Sequence, residues 1–280
     1  MIKLKIKQIL NRFALTKESR PQRLRVSKTV FVKSRQTVVL PLPLDNCRQR
    51  LIEYDVNLKT NRCFSRQYRI ITAKPDSDCK LNLVYTVSVK PVYQDISKLN
   101  LFKPLDSFDK NLIDKINPYD KKIQSLAKQI KTNSIPEFVL KSYNLVIAKL
   151  RYGKPIKGLY SYKQALTLPE VDCGGFCTLL SSILLTRRIS VDLAVGQLYS
   201  SKSKSTSMHV WLEIPLKTGS IFPLDPSVDW RNKFGLSSRL GGFGKISSYH
   251  INLSYGVNHF IKELDRKIVL IQNVLKYYNV

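Results

Sequence analysis

The 280-residue chain carries 47 Lys and Arg against 20 Asp and Glu, a formal charge of +27, with 43% hydrophobic and 10% aromatic residues. That content suffices for the core of one large or two ordinary domains and is the mix of a globular chain, not of a disordered one. The charge implies attraction to polyanions, yet the basic residues are spread along the chain with no Arg-rich arm or nucleic-acid motif, so only weak, non-specific polyanion contact is expected.

Residues 1–24 read as a basic N-terminal segment. Ile2, Leu4, Ile6, Ile9, Leu10 and Phe13 are interrupted by Lys3, Lys5, Lys7 and Arg12, so there is no apolar run of the kind a signal peptide needs. No stretch of 18 apolar residues offers a transmembrane helix. The five cysteines, at 47, 63, 79, 173 and 177, form an odd set without a Cys-x-x-Cys pair. This argues against a disulfide framework or a structural zinc site and fits a reducing, cytoplasmic setting.

Residues 25–94 have a period of two. Leu81, Leu83, Tyr85, Val87 and Val89 alternate with mostly polar residues, and 37–44, 51–58 and 67–73 are further strand candidates separated by Asn- and Asp-bearing turns. A small antiparallel β-sandwich-like domain is expected there. Residues 95–117 read as a linker punctuated by Pro and Asp. Helical spacing begins after it. Asn117 and Pro118 read as cap and first-turn proline for Ile123, Leu126, Ala127 and Ile130, and Pro136 opens a second helix through Val139, Tyr143, Val146 and Leu150. A polar, aromatic loop follows at 152–164, with Tyr160, Tyr162 and Gln164 as possible side-chain donors to a nearby site.

Phe176, Leu179, Leu180, Ile183 and Leu184 then form the stripe of a buried helix. Asp172 is its expected cap, which puts Cys173 in the first turn, where free N–H groups and the macrodipole favour negative charge. Gly174 and Gly175 weaken that turn but allow a substrate backbone to come close. Cys177, one turn deeper, reads as small core filler. Met208, Val210, Leu212 and Ile214 alternate with His209, Trp211 and Glu213, the pattern of a half-buried strand with His209 and Trp211 on its second face. A hairpin to 221–224 brings Asp225 back towards His209. Direct pairing of 209 with 225 makes the connection the odd-length 214–220, whereas a one-residue slip turns Asp225 to the opposite face. Residues 235–248 are rich in Gly and Ser and read as a mobile loop beside the cleft, and 247–254 as a closing strand.

A Cys opening an apolar helix, the His209-Val210-Trp211-Leu212-Glu213 strand and the Leu224-Asp225-Pro226 strand end together resemble the transglutaminase-like superfamily, relatives of the papain-type cysteine proteases. The resemblance covers about 118–230 and puts a nucleophile at Cys173, a strand glycine at Gly196, a general base at His209 and a base-orienting acid at Asp225. Val171 stands where the family has Gly, and Arg188-Ile189-Ser190-Val191-Asp192 replaces its Gly-Ile-Pro-x-Arg turn. The implied fold is α+β, a papain-like or transglutaminase-like core with the Cys helix on an antiparallel sheet, spanning 118–260. A closing element is expected at 261–280. The implied activity is thiol-dependent acyl transfer on peptide or side-chain amides by Cys173, His209 and Asp225, most simply a cysteine peptidase or amidase. Gly174, Gly175 and Trp211 are the expected substrate contacts. A protein-glutamine γ-glutamyltransferase and a non-catalytic binding module on the same fold are the alternatives. No cofactor or metal is expected, since no acidic loop has calcium-ligand spacing.

Overall fold

A computed structural model describes residues 18–108, 112–153, 155–156, 158–201, 205–237 and 239–256, with the backbone of 258–261 and 266–269. Most of the basic N-terminal segment and most of the expected closing element lie outside the described residues. The elements are β1 (Gln22–Val32), β2 (Val38–Leu42), β3 (Gln49–Val56), β4 (Thr60–Phe64), β5 (Arg69–Ala73), β6 (Cys79–Val89) and β7 (Val92–Tyr93), then α1 (Lys121–Gln129), α2 (Ile135–Lys149), α3 (Tyr162–Thr167) and α4 (Cys173–Leu185). They continue with β8 (Asp192–Ser200), β9 (Ser205–Pro215), β10 (Ile221–Leu224), α5 (Pro226–Lys233), β11 (Gly241–Gly242), β12 (Lys245–Ile246), β13 (His250–Tyr255), β14 (Asn258–Ile261) and β15 (Arg266–Val269). The chain is α+β with antiparallel sheets.

The alternation in β1 and β6 works as it reads. Leu24, Val26, Val30 and Val32 of β1, with Leu81, Leu83, Tyr85, Val87 and Val89 of β6, all point inward. The sheet β1-β6-β3 shares a core with β2 and β5 of a second sheet, ordered β2-β5-β4. That core does not stop at the sandwich. Leu198, Tyr249, Ile251 and Leu253, on and beside the strands of the following sheet, are part of it.

The following sheet runs β10-β9-β8-β13. Leu193, Val195, Val210, Leu212 and Ile214 share a hydrophobic core with α4. Every residue of α4 except Cys173 is buried, so this helix is the axis of its half of the molecule. Around it, α2 starts at Ser134, whose hydroxyl accepts from Glu137 N–H. For α1, the cap is Asp120 rather than Asn117. Its carboxylate accepts from Lys122 N–H, and Asn117 instead accepts from Tyr119 N–H, which delays the helix by a turn.

Segment 95–105 is bound along the β10-β9-β8-β13 sheet and the turn after α4. A short 3₁₀ helix at Ile96–Leu101 precedes Lys103, whose N–H donates to Pro215 C=O, and Leu105, whose N–H donates to Arg188 C=O. The Gly-rich stretch at 235–248 differs from the mobile loop expected. Gly241 and Gly242 pair with Ile246 and Lys245, β12 pairs with β7, and both glycines are buried. At Gly242, φ is +128° and a Cβ would collide with the Asp229 carboxyl group, so only glycine fits. No helix among the described residues is long and apolar enough to cross a membrane. None of the five cysteines is in a disulfide.

Candidate active site

Three elements deliver the three side chains. Asp172 caps α4 through a 2.9 Å bond from Gly174 N–H, and its other oxygen accepts from Ile156 N–H at 3.3 Å. Burial pushes the Asp172 carboxyl up, and these backbone donors, with Gly175 N–H, pull it back. Cys173 is the partly exposed first residue of the helix, so its own N–H has no partner within the helix. Cys177 is fully buried, its Sγ 3.5 Å from Val210 C=O, and burial holds its thiol well above the ordinary range. It is core filler.

His209 sits opposite Gly196 in the β8–β9 ladder. In the β9–β10 hairpin Leu224 pairs with Leu212, so Asp225 continues two positions away from a direct pairing with His209. An even offset preserves the face. The hairpin turns at Lys217–Ser220, where Gly219 takes a φ of +80°. His209 Nε2 lies 2.7 Å from Asp225 Oδ2, which leaves Nδ1 as the ring nitrogen open to the Cys173 thiol, a group near enough to raise the basicity of the ring.

Burial alone would make this imidazole less basic. The Asp225 carboxylate and Cys173 outweigh it and raise its pKa to about 9. Burial likewise opposes the Asp225 charge, but His209 and His250 hold the carboxyl well below the usual range. Asp225 accepts four hydrogen bonds. Oδ2 takes both imidazoles, His250 Nε2 being 3.2 Å away, while Oδ1 takes Ser227 Oγ–H at 2.9 Å and Val228 N–H at 3.0 Å. The same carboxylate caps α5. The donor atoms of His209, Asp225 and His250 lie within 4.8 Å of one another, a spacing a metal-ligating trio shares. Here both imidazoles face one oxygen at hydrogen-bond distance and the other oxygen is already occupied, so protons organise the cluster.

The expected substrate contacts are placed differently. Trp211 is completely buried, and its indole N–H donates to Glu213 Oε1 at 2.8 Å. It stacks 6.1 Å from His209 and meets His250 edge-on at 5.3 Å, so it is a wall behind the imidazole. The second face of β9, expected to be open, is covered by Ile246, Val92 and Arg48. Gly174 and Gly175 are also filled from inside the protein. A Cβ on Gly174 would sit 2.6 Å from Leu159, and one on Gly175 2.6 Å from Val171. Their lack of a side chain serves packing.

Of the possible oxyanion donors, Tyr162 O–H is bonded to Asp120 and Gln164 caps α3 through Ser161. Tyr160 is buried. His250 was not singled out in the sequence. It is invisible to local spacing, because it stands 25 residues beyond Asp225 on a separate strand.

In overall fold the chain is similar to a crystal structure from Cytophaga hutchinsonii of a protein provisionally named a cysteine protease. The TM-score is 0.57 at 15% sequence identity, covering 84% of this chain and 81% of that one. No protein-family profile matches the chain. No curated protein matches it either.

Proposed function

We propose that the chain is a thiol-dependent amide hydrolase of the transglutaminase-like class, a cysteine peptidase or amidase acting on a protein or peptide. The observation that carries this reading is the pairing of His209 with Asp225, the carboxylate 2.7 Å from one imidazole nitrogen, beside a Cys173 side chain that raises the basicity of the same ring. Likeness of fold to a protein named a cysteine protease supports it.

His209 takes the Cys173 proton, and the sulfur attacks the amide carbonyl carbon. Negative charge passes to the carbonyl oxygen, which meets the free Cys173 N–H at the start of α4. Collapse of the tetrahedral species expels the amine, protonated by the His209 imidazolium, and leaves a thioester. Water, deprotonated by His209, then attacks the thioester carbonyl and releases the acid and the thiol. Asp225 keeps the imidazole in one tautomer and stabilises its charge through both half-reactions.

The test pairs alkylation with turnover. Cys173 labelling, read by peptide mapping, should be fast near pH 6 and slow to free-thiol behaviour in His209→Asn. A peptide-amide library should be hydrolysed by the wild type and left intact by Cys173→Ala. Cys173 labelling that ignores His209 would overturn the reading, and amine incorporation in place of hydrolysis would redirect it to a transferase.

A further inference from the structure

Asp225 is shared by two imidazoles, and only one faces the thiol. His250 is fully buried, with Nε2 on Asp225 Oδ2 and Nδ1 2.9 Å from Ser247 Oγ. The ionised Asp225 carboxylate can only accept, so the Nε2 that faces Oδ2 carries the ring proton and Nδ1 is left as an acceptor. Ser247 Oγ, which accepts from Tyr249 N–H at 3.2 Å, then donates its hydroxyl proton to Nδ1. The order of donation is fixed from Tyr249 to Asp225. The backbone carbonyls of both Ser247 and His250 accept from Arg48, which secures the segment from behind.

We propose that His250 is a positioning residue for the triad, a neutral imidazole that donates one fixed hydrogen bond to Asp225 and so limits how strongly that carboxylate holds the His209 proton. This rests on the triad reading above. A carboxylate already accepting from His250 is a weaker base towards His209. Without that bond the pair His209–Asp225 tightens and the imidazolium gives up its proton less readily. Burial also disfavours a charged His250, whose pKa falls to about 4, in keeping with a ring that stays neutral while His209 is charged.

Several other groups share the field. Tyr143 from α2, Cys173 and Cys177 from α4, and Asp229 on α5 act on Asp225 or on one another, and Arg48, just ahead of β3, faces His250. Their contributions stay in place when position 250 or 247 alone is changed.

Nitrogen-15 NMR of the three histidines in the full chain reads both the tautomer and the His209 titration. The wild type should show His250 neutral, with its proton on Nε2, through the range in which His209 titrates. His250→Leu should raise the His209 midpoint by about one pH unit, ten-fold in its proton equilibrium. His250→Gln, whose amide N–H can replace the Nε2 donor, should bring it back. Ser247→Ala removes the donor to Nδ1 and should raise the midpoint part of the way, and it decides the matter if His250→Leu does not fold. A proton on His250 Nδ1 in the wild type overturns the proposal. So does an unchanged His209 midpoint in folded His250→Leu or, failing that, in Ser247→Ala. A His209 midpoint that ignores Cys173→Ala points to failure of the triad itself, whatever His250 does.

Discussion

Gly196 packs against the edge of the Trp211 ring. A Cβ at this position would sit 2.8 Å from the Trp211 ring and inside the contact radius of the Ile251 carbonyl oxygen. The glycine that the sequence places on β8 therefore sets the height of the wall behind His209, its partner in the ladder. Gly196→Ala must push Trp211 or separate β13 from β8. Overpacking of this kind costs about 1–3 kcal/mol. Urea unfolding should report that loss, together with slower Cys173 alkylation. Unchanged stability would mean the wall has slack.

Stability should depend on pH through His209. Its pKa in the folded protein is about 9, above the ordinary value of about 6.5. A raised pKa means that folding favours the protonated ring. The stabilisation is complete below about pH 6.5 and disappears as pH rises towards 9. The urea midpoint should fall through that window and stay flatter in His209→Gln.

Asp225→Asn tests the carboxylate without emptying the site. The amide can keep some hydrogen bonds but must turn an N–H towards one of its donors, and the charge that holds the imidazolium is gone. On the proposed mechanism, and by analogy with carboxylate loss in catalytic triads, turnover should fall about 10³- to 10⁴-fold. Circular dichroism should confirm that the variant folds. A fall of less than ten-fold would remove Asp225 from the mechanism.

Arg48→Met tests the junction between the two halves. Arg48 is 2% exposed, with Nε 3.7 Å from Glu213 Oε1, and Glu213 is completely buried. Losing one partner strands the other charge, at a cost of about 3–5 kcal/mol. The double variant Arg48→Met with Glu213→Gln should recover much of that loss in thermal unfolding. Additive losses would show that the two do not act as a pair.

The parts of the site that were legible in the sequence are those set by local rules. Asp172 ahead of an apolar helix and the alternation around His209 each involve near neighbours along the chain, whereas the hairpin parity that returns Asp225 to the same face is fixed only by the pairing of Leu224 with Leu212. What covers a strand is different. Nothing near Trp211 says that Arg48, Val92 and Ile246 will close over it, so a buried wall read as an open face. The Gly-rich run at 240–244 misled for a related reason. Glycine marks flexible turns and tight approaches alike, and Asp229, the neighbour that decides the case at Gly242, sits on another element. His250 reaches Asp225 only because β13 lies beside β8, a pairing that the spacing of neither strand announces.

The clamp made by Arg48 and Gln49 limits how the chain can be cut. Gln49 donates to the carbonyls of Leu44 and Asn252 and accepts from Asn252 N–H, while Arg48 holds the carbonyls of Ser247 and His250. The strand that carries His250 thus takes its anchorage from the N-terminal sandwich. A fragment trimmed at the apparent seam near residue 95 would keep Cys173, His209 and Asp225 and lose the scaffold of their neighbour. Grafting the Cys–His–Asp half onto another N-terminal partner would face the same loss, unless the new partner brought its own arginine and glutamine to this edge.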